Sequence, residues 1–481
     1  MSIIKQLAGD TFAYGVSSIL ARLINFLFGF LIIRYITPAE FGTFTNFYAY
    51  AGFILVVLTH GMETAFFRFA NKKDSEANAF STSFYSVLMA VVIFVVLVHI
   101  FQQPIANYVK EPVLYVKFFV WMLSFDALAA IPFASLRKQG KPIQFAVFKI
   151  LNIVFFIVFN VLFFIVFPIV HISFPFTKVS YIFIANIIAS GLTFLLILKQ
   201  LGQLHFSFDS TLYKEMFRYA LPIMLVGFAG MINEVLDRII MTRLLHGTIV
   251  ENKIQLGIYG FNYKFAMIVS MFLQAYRYAA EPLFFKHAES TDSKQILAST
   301  MKYYTISVCV IFLSIVLFLP LIQEFFILYS PTSKVYFVGA GIIPVLLIAN
   351  IFLGMYFNIS TWYKITDKTY IGAIIAIVGA IITIVTNVLL VPRVGYWGGA
   401  WATLICYFSM VILGYITEQK FYPIPYNYKR ILFYLCFAIL LFVVLHFLIL
   451  PLQLSLVINT LIAFILLLFY LSVAYFLERK K

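Results

Sequence analysis

Apolar runs of membrane-crossing length recur along the whole chain. "VLMAVVIFVVLVHIF" (87–101), "IGAIIAIVGAIITIVTNVLLV" (371–391) and "LVINTLIAFILLLFYLSVAYF" (456–476) are three of them, separated by polar, Gly or Pro connections. A helix needs about 20 such residues to cross a roughly 30 Å hydrocarbon core. Composition agrees, with 63% hydrophobic and only 11% charged residues. A soluble domain is roughly half apolar and a quarter charged, so too few polar side chains remain to cover a surface in water. The chain is a polytopic all-α membrane protein.

Reading each run between its breakers places helices near 9–34, 41–61, 80–103, 113–136, 143–168, 179–199 and 217–244. Seven more fall near 256–279, 300–322, 335–358, 369–391, 398–417, 430–450 and 453–476, with Pro451 in "LILPLQL" turning one span into the next. The first run contains Arg22 and has no short apolar core followed by a cleavage site, so it is expected to stay as a span. Cys309, Cys406 and Cys436 all lie in apolar runs and read as packing thiols rather than a disulfide framework.

Basic residues orient these spans. Alternate connections plus both termini carry roughly 22 Lys and Arg against about 8 on the other side. The rich side includes "RFANKK" (68–73), "RKQGK" (137–141) and "ERKK" (478–481), which places it and both termini in the cytoplasm. The net charge of +15 then faces anionic lipid, with no nucleic-acid partner required. The longest connections, 199–216 and 277–300, are too short for a soluble domain. HExxH, GxSxG and GxxxxGK[ST] patterns are absent, as is any Cys/His cluster with metal spacing. Neither an enzyme, a cofactor nor a metal is expected.

"IIRYITPAEFGTFTNFYAYAGFI" (32–54) and "MTRLLHGTIVENKIQLGIYGFNYKFAMIV" (241–269) share a pattern in which an Arg closes one span and a Gly opens the next. Arg34 corresponds to Arg243, Gly42 to Gly257 and Tyr48 to Tyr263. A six-helix offset preserves direction, so the halves read as parallel repeats about an axis along the membrane normal. The expectation is two six-helix lobes, 1–205 and 206–422, with a helix pair appended at 423–481.

"GVSSILARLINFLFGFLIIRYITPAEFGTF" (15–44), "RYALPIMLVGFAGMINEVLDRIIMTRLL" (218–245), "LGIYGFNYKFAMIV" (256–269) and "AYRYAAEPLFF" (275–285) resemble bacterial polysaccharide flippases. These are the Wzx-type O-antigen and capsule repeat-unit exporters, in the superfamily that also holds MATE multidrug transporters and the lipid II flippase. The resemblance implies an alternating-access cavity in the bacterial inner membrane. It also implies undecaprenyl-diphosphate-linked oligosaccharide as cargo, for surface polysaccharides such as lipopolysaccharide. Other polysaccharide-assembly proteins are the partners it suggests.

A charge at mid-bilayer costs at least about 2.5–3.5 kcal/mol, so intramembrane ionisable groups face a cavity or a partner. Here they are Arg22, Asp126, Lys149, Glu234, Asp237, Arg238 and Lys264. Glu234 and Arg238 stand at i and i+4 in the favourable order, and Asp237 shares their arc. The group reads either as a self-satisfied packing cluster or as a gating site, whose surplus acid is neutralised by H+, Na+ or Lys264. Asp126 and Lys149, on consecutive helices, read as a structural ion pair. Arg22 has no acid at i±3 or i±4. Its fork suits diphosphate oxygens, and by resemblance it matches a cavity arginine of the lipid II flippase. Lys264 and Arg238 are further candidates to bind the diphosphate. The segment between Arg430 and Glu478 holds no Asp, Glu, Lys or Arg, so it can face acyl chains, and by resemblance it borders a groove for the polyprenyl tail. The rival reading, a MATE-like cation-coupled antiporter, predicts acid-dominated cavities and twelve spans.

Overall fold

The computed structural model describes residues 23–24, 26–70, 76–205, 208–286 and 292–479. Among them are helices and turns and no strand. Thirteen helices are long and apolar enough to cross a membrane. They correspond to the second to fourteenth expected spans, and most of the first span, 9–34, lies outside the described residues.

The helices used below are α1 (Pro38–Thr59), α2 (Met62–Phe69), α3 (Glu76–Ile100), α4 (Gln102–Val109), α5 (Val113–Lys138), α6 (Pro142–Val161), α7 (Lys178–Ile197) and α8 (Ser210–Leu244). They continue as α9 (Ile249–Lys286), α10 (Ser293–Val316), α11 (Leu319–Tyr329), α12 (Ile342–Ile365), α13 (Thr369–Val394), α14 (Tyr396–Phe421), α15 (Tyr428–Val443) and α16 (Leu456–Arg479). Packing divides the chain into two compact units. One comprises residues 1–242 and 247–254, the other 243–246 and 255–481. The packing therefore groups α8 with the helices before it.

In the first unit α5 is the central helix, against α3 and α7, with α6 on α7. Its core is aromatic. Phe47 of α1 lies edge-on to Phe119 and Phe183, with ring centroids 5.1 Å apart in each case. Phe53 and Phe228 meet at 5.1 Å where α1 and α8 run together. Thr37 caps α1 in a reciprocal box with Glu40, and Pro38 fills the first helical position, where a missing N–H costs nothing. The same device starts α9, where the Thr248 N–H donates to Glu251 at 2.8 Å and the Glu251 N–H returns to Thr248 Oγ1 at 3.3 Å. The pairs lie in the two segments that the sequence aligns as repeats. Between α1 and α2 the chain breaks at His60 and Gly61, both with positive φ. Gly61 is needed twice over, because a Cβ would also lie 2.9 Å from the Ala220 carbonyl oxygen of α8.

The second unit packs α14 between α12 and α13, and seats α10 against α12 and α15. Trp362, fully buried, lies parallel to the Tyr422 ring. The expected span 300–322 ends earlier, at Val316, and the span expected from 335 starts at Ile342. Pro320 lacks the N–H that would carry the helix through and instead starts the short α11, while Pro331 follows its end. The joint at Pro451 is as expected, with a 3-10 turn at Leu450–Leu452 and Gln453 at φ 52°. Ahead of Pro168 and Pro451 the helices widen into π turns, in which Phe167 donates to Leu162 and Leu450 to Leu445. The wider coil absorbs the missing proline donor without exposing backbone to lipid.

Candidate functional site

The charged segment of α8 is the place to begin. Ala229, Asn233, Asp237 and Met241 follow one another at four-residue spacing and are buried, so they form the packed row of this half of the helix. Glu234 falls beside that row and is exposed. The expected Glu234–Arg238 side-chain pair is not made. Arg238 Nη1 donates to the Glu234 backbone carbonyl at 2.7 Å and lies 3.6 Å from Asp237 Oδ1. A long guanidinium can fold back onto its own helix, and Asp237 on the packed side draws it there. The Glu234 carboxylate then has no hydrogen-bond or ion-pair partner among the described residues. Only 17% of the most apolar window of α8 is buried, although the helix carries Glu234, Asp237 and Arg238. Hydrocarbon cannot be what meets an exposed carboxylate there, so this face calls for water, a polar ligand or a polar protein group.

Asp126 and Lys149 do not form a contact ion pair. The Asp126 carboxylate accepts from Ser190 Oγ at 2.7 Å. The Lys149 ammonium instead lies 4.2 Å from the centre of the Phe133 ring. The two groups still feel each other's field, but a neighbouring hydroxyl and an aromatic face satisfy them locally. Lys264 is half-buried on α9, beside the buried Asn262 and Tyr263. Arg22 lies outside the described residues.

Two charge clusters lie at span edges, where the sequence reading did not look. Glu111, buried between α4 and α5, accepts from Lys253 Nζ at 2.7 Å and from Thr43 Oγ1 at 2.7 Å. This ties the first turns of α9 and α1 to the α4–α5 connection within the first unit. In the second unit, Glu478 near the end of α16 accepts from Lys302 of α10, from Arg430 Nη1 at 2.9 Å and from the Tyr434 hydroxyl at 2.8 Å. Lys302 is only 7% exposed. One carboxylate thus docks α15 and α16 onto α10. A helix-by-helix reading misses both clusters because each partner is remote in sequence, and only the isolated basic residues at the span ends point to them.

These helices can now be set beside known proteins. A family model described as "Polysaccharide biosynthesis protein" matches residues 7–288, more than half of the chain. The chain belongs to this family. No curated protein sequence matches this polysaccharide biosynthesis protein significantly. Among solved structures it is similar to the lipid II flippase MurJ in an inward closed conformation. The TM-score is 0.76 at 17% identity, covering 96% of this chain and 98% of that one. It is also similar to an inward-facing multidrug resistance MATE family transporter of the MOP superfamily (TM-score 0.63, 16% identity, 83% and 94% covered). A third is a MOP superfamily transporter from Pyrococcus furiosus, described by the reverse polarity of its binding pocket (TM-score 0.58, 12% identity, 87% and 99% covered). At these identities the likeness is one of fold. The helical membrane fold expected from the sequence is borne out, and the matched family is one of polysaccharide biosynthesis, as the resemblance implied.

Proposed function

We propose that this polysaccharide biosynthesis protein is a flippase for undecaprenyl-diphosphate-linked oligosaccharide repeat units. It moves them from the cytoplasmic to the outer leaflet of the bacterial inner membrane by alternating access, supplying surface polysaccharides such as O-antigen. The observation that carries this reading is the α15–α16 pair. It is anchored to α10 through Glu478, yet Leu440, Phe447, Leu448, Val457, Ile465 and Phe469 are all exposed along it. Only 11% of the most apolar window of α16 is buried. A long uncharged face beside a charge-bearing helix bundle suits a cargo that is half polyprenyl and half polar. A small cation needs no such face.

Arg22, Lys264 and Arg238 are the cations offered to the diphosphate, and Glu234 with Asp237 are the groups offered for gating or coupling to H+ or Na+. Asp126 and Lys149 keep a structural role. The lobes 1–205 and 206–422 would rock against each other, with 423–481 appended. A second reading, a MATE-like cation-coupled antiporter, draws on one observation, the Glu234 carboxylate without a partner among the described residues.

The deciding experiment removes the protein from cells and identifies what accumulates. A flippase leaves undecaprenyl-linked saccharide on the cytoplasmic leaflet. Unchanged lipid-linked saccharide together with lost efflux of cationic dyes would establish the antiporter instead. Coupling is tested in vesicles with an imposed H+ or Na+ gradient. Asp237→Asn keeps the side-chain shape, removes the charge and is expected to abolish the gradient-dependent part of transport at normal abundance. Full gradient-dependent transport by the variant removes Asp237 from coupling. Both termini are expected in the cytoplasm, so cysteines placed at Ser2 and Lys481 should resist an impermeant thiol reagent in intact cells. Labelling of either reverses the topology.

A further inference from the structure

A cavity of about 570 Å³ lies within the second unit between the later part of α9 and the first half of α10. Phe272 and Tyr276 line it from α9, and Gln295, Ser299, Tyr303 and Ser307 from α10. Those four α10 residues are spaced by four, so they form one line along the helix, and all are exposed. On the other side of α10, Leu297, Met301, Val308 and Phe312 are buried. A row of amide and hydroxyl groups on a membrane-length helix is a misfit for hydrocarbon and a fit for water or a polar ligand.

The wall behind this row is already organised. The Tyr276 hydroxyl donates to Asn358, and its ring lies 4.9 Å from that of Tyr304. Tyr304 is fully buried and nests on Gly354 of α12, where any side chain would collide with its hydroxyl. Tyr303 is 54% exposed, and the Lys302 ammonium sits 4.6 Å from its ring centre. Since Lys302 is held by Glu478, the α15–α16 anchor also orients the exposed Tyr303 ring that the cavity presents. Among the described lining residues there is no Lys or Arg, and Asp292 is the one carboxylate. The set is therefore poor for phosphate. Neutral donors and acceptors around exposed ring faces match a polyol whose hydroxyls alternate with C–H faces, and the volume falls within the roughly 300–1,000 Å³ of small-molecule sites.

We propose that this cavity is a saccharide subsite, which receives sugar rings of the cargo while its polyprenyl tail lies along α15–α16. The proposal rests on the flippase reading and adds a place for the sugars, separate from the cations offered to the diphosphate. The test uses purified full-length protein in nanodiscs and two probes. One is the undecaprenyl-linked oligosaccharide extracted from cells lacking the protein, the other sugar-free undecaprenyl diphosphate. Tyr303→Ala and the pair Gln295→Leu with Ser299→Val are each expected to weaken binding of the glycosylated lipid about ten-fold, the loss of one or two ligand hydrogen bonds or an equivalent contact. Both should leave the sugar-free lipid unaffected, and Tyr303→Trp should restore most of the loss. Wild-type affinity of these variants for the glycosylated lipid overturns the subsite and leaves the flippase reading intact. Equal losses for both probes overturn it as well, because the residues would then serve the fold or the diphosphate. Should the unaltered protein bind neither lipid but bind tetraphenylphosphonium, the subsite and the flippase reading fall together.

Discussion

Lys253→Ala is expected to destabilise the protein by about 3–5 kcal/mol, the usual loss when one member of a buried ion pair is removed and the other is stranded. Glu111 is the stranded group. Its side chain is 3% exposed and Lys253 is its ion-pair partner at 2.7 Å, with the Thr43 hydroxyl as its one further hydrogen-bond donor among the described residues. Thr43 alone cannot compensate a full charge. Adding Glu111→Gln to Lys253→Ala should recover most of the loss, because an amide can still accept from Thr43 and carries no charge to desolvate. Thermal unfolding in detergent can be followed through the cysteines in a Cys436→Ser background, since Cys309 and Cys406 are buried and react only on unfolding. A Lys253→Ala protein that melts with the parent would mean that Glu111 is not a compensated charge at all.

Arg22→Ala is expected to abolish export while the protein stays inserted and abundant. The argument is from sequence, because Ser18, Ile19, Asn25 and Phe26 leave Arg22 without an acid at i±3 or i±4. A guanidinium offers a planar two-pronged donor to phosphate oxygens. Arg22→Lys keeps the charge but not that fork, so intermediate export is expected. If Arg22 instead pairs with an acid on another helix, such as Asp237, then Arg22→Ala lowers protein abundance and removal of the acid restores it. Abundance and export measured together for the Ala, Lys and double variants separate the two outcomes. Normal export by an abundant Arg22→Ala protein ends both and passes the role to Lys264.

Thirteen spans could be read directly from the chain because hydropathy over about 20 residues is set by the bilayer itself and not by distant contacts. Helix ends were less legible. Pro320 and Pro331 act within a run that stays apolar on both sides, so composition does not register the short α11 between them. Side-chain pairing on a single helix was only half legible. The arc of Glu234, Asp237 and Arg238 follows from 3.6-residue geometry, but Arg238 reaches the Glu234 carbonyl and not its carboxylate. That choice depends on which side of α8 is packed. Pairing between helices was not legible. Glu111–Lys253 and Lys302–Glu478 join residues whose proximity is created only by folding.

The Glu478 anchor also imposes an order on synthesis. Lys302 precedes its carboxylate by 176 residues, so a growing chain delivers α10 to the membrane well before α16 exists. During that interval the ammonium has to borrow a counter-charge from lipid headgroups or water. The turn of α16 that carries Glu478 then neutralises it and seats the hairpin in the same step. A chain released before Glu478 would carry an uncompensated cation into its helix bundle.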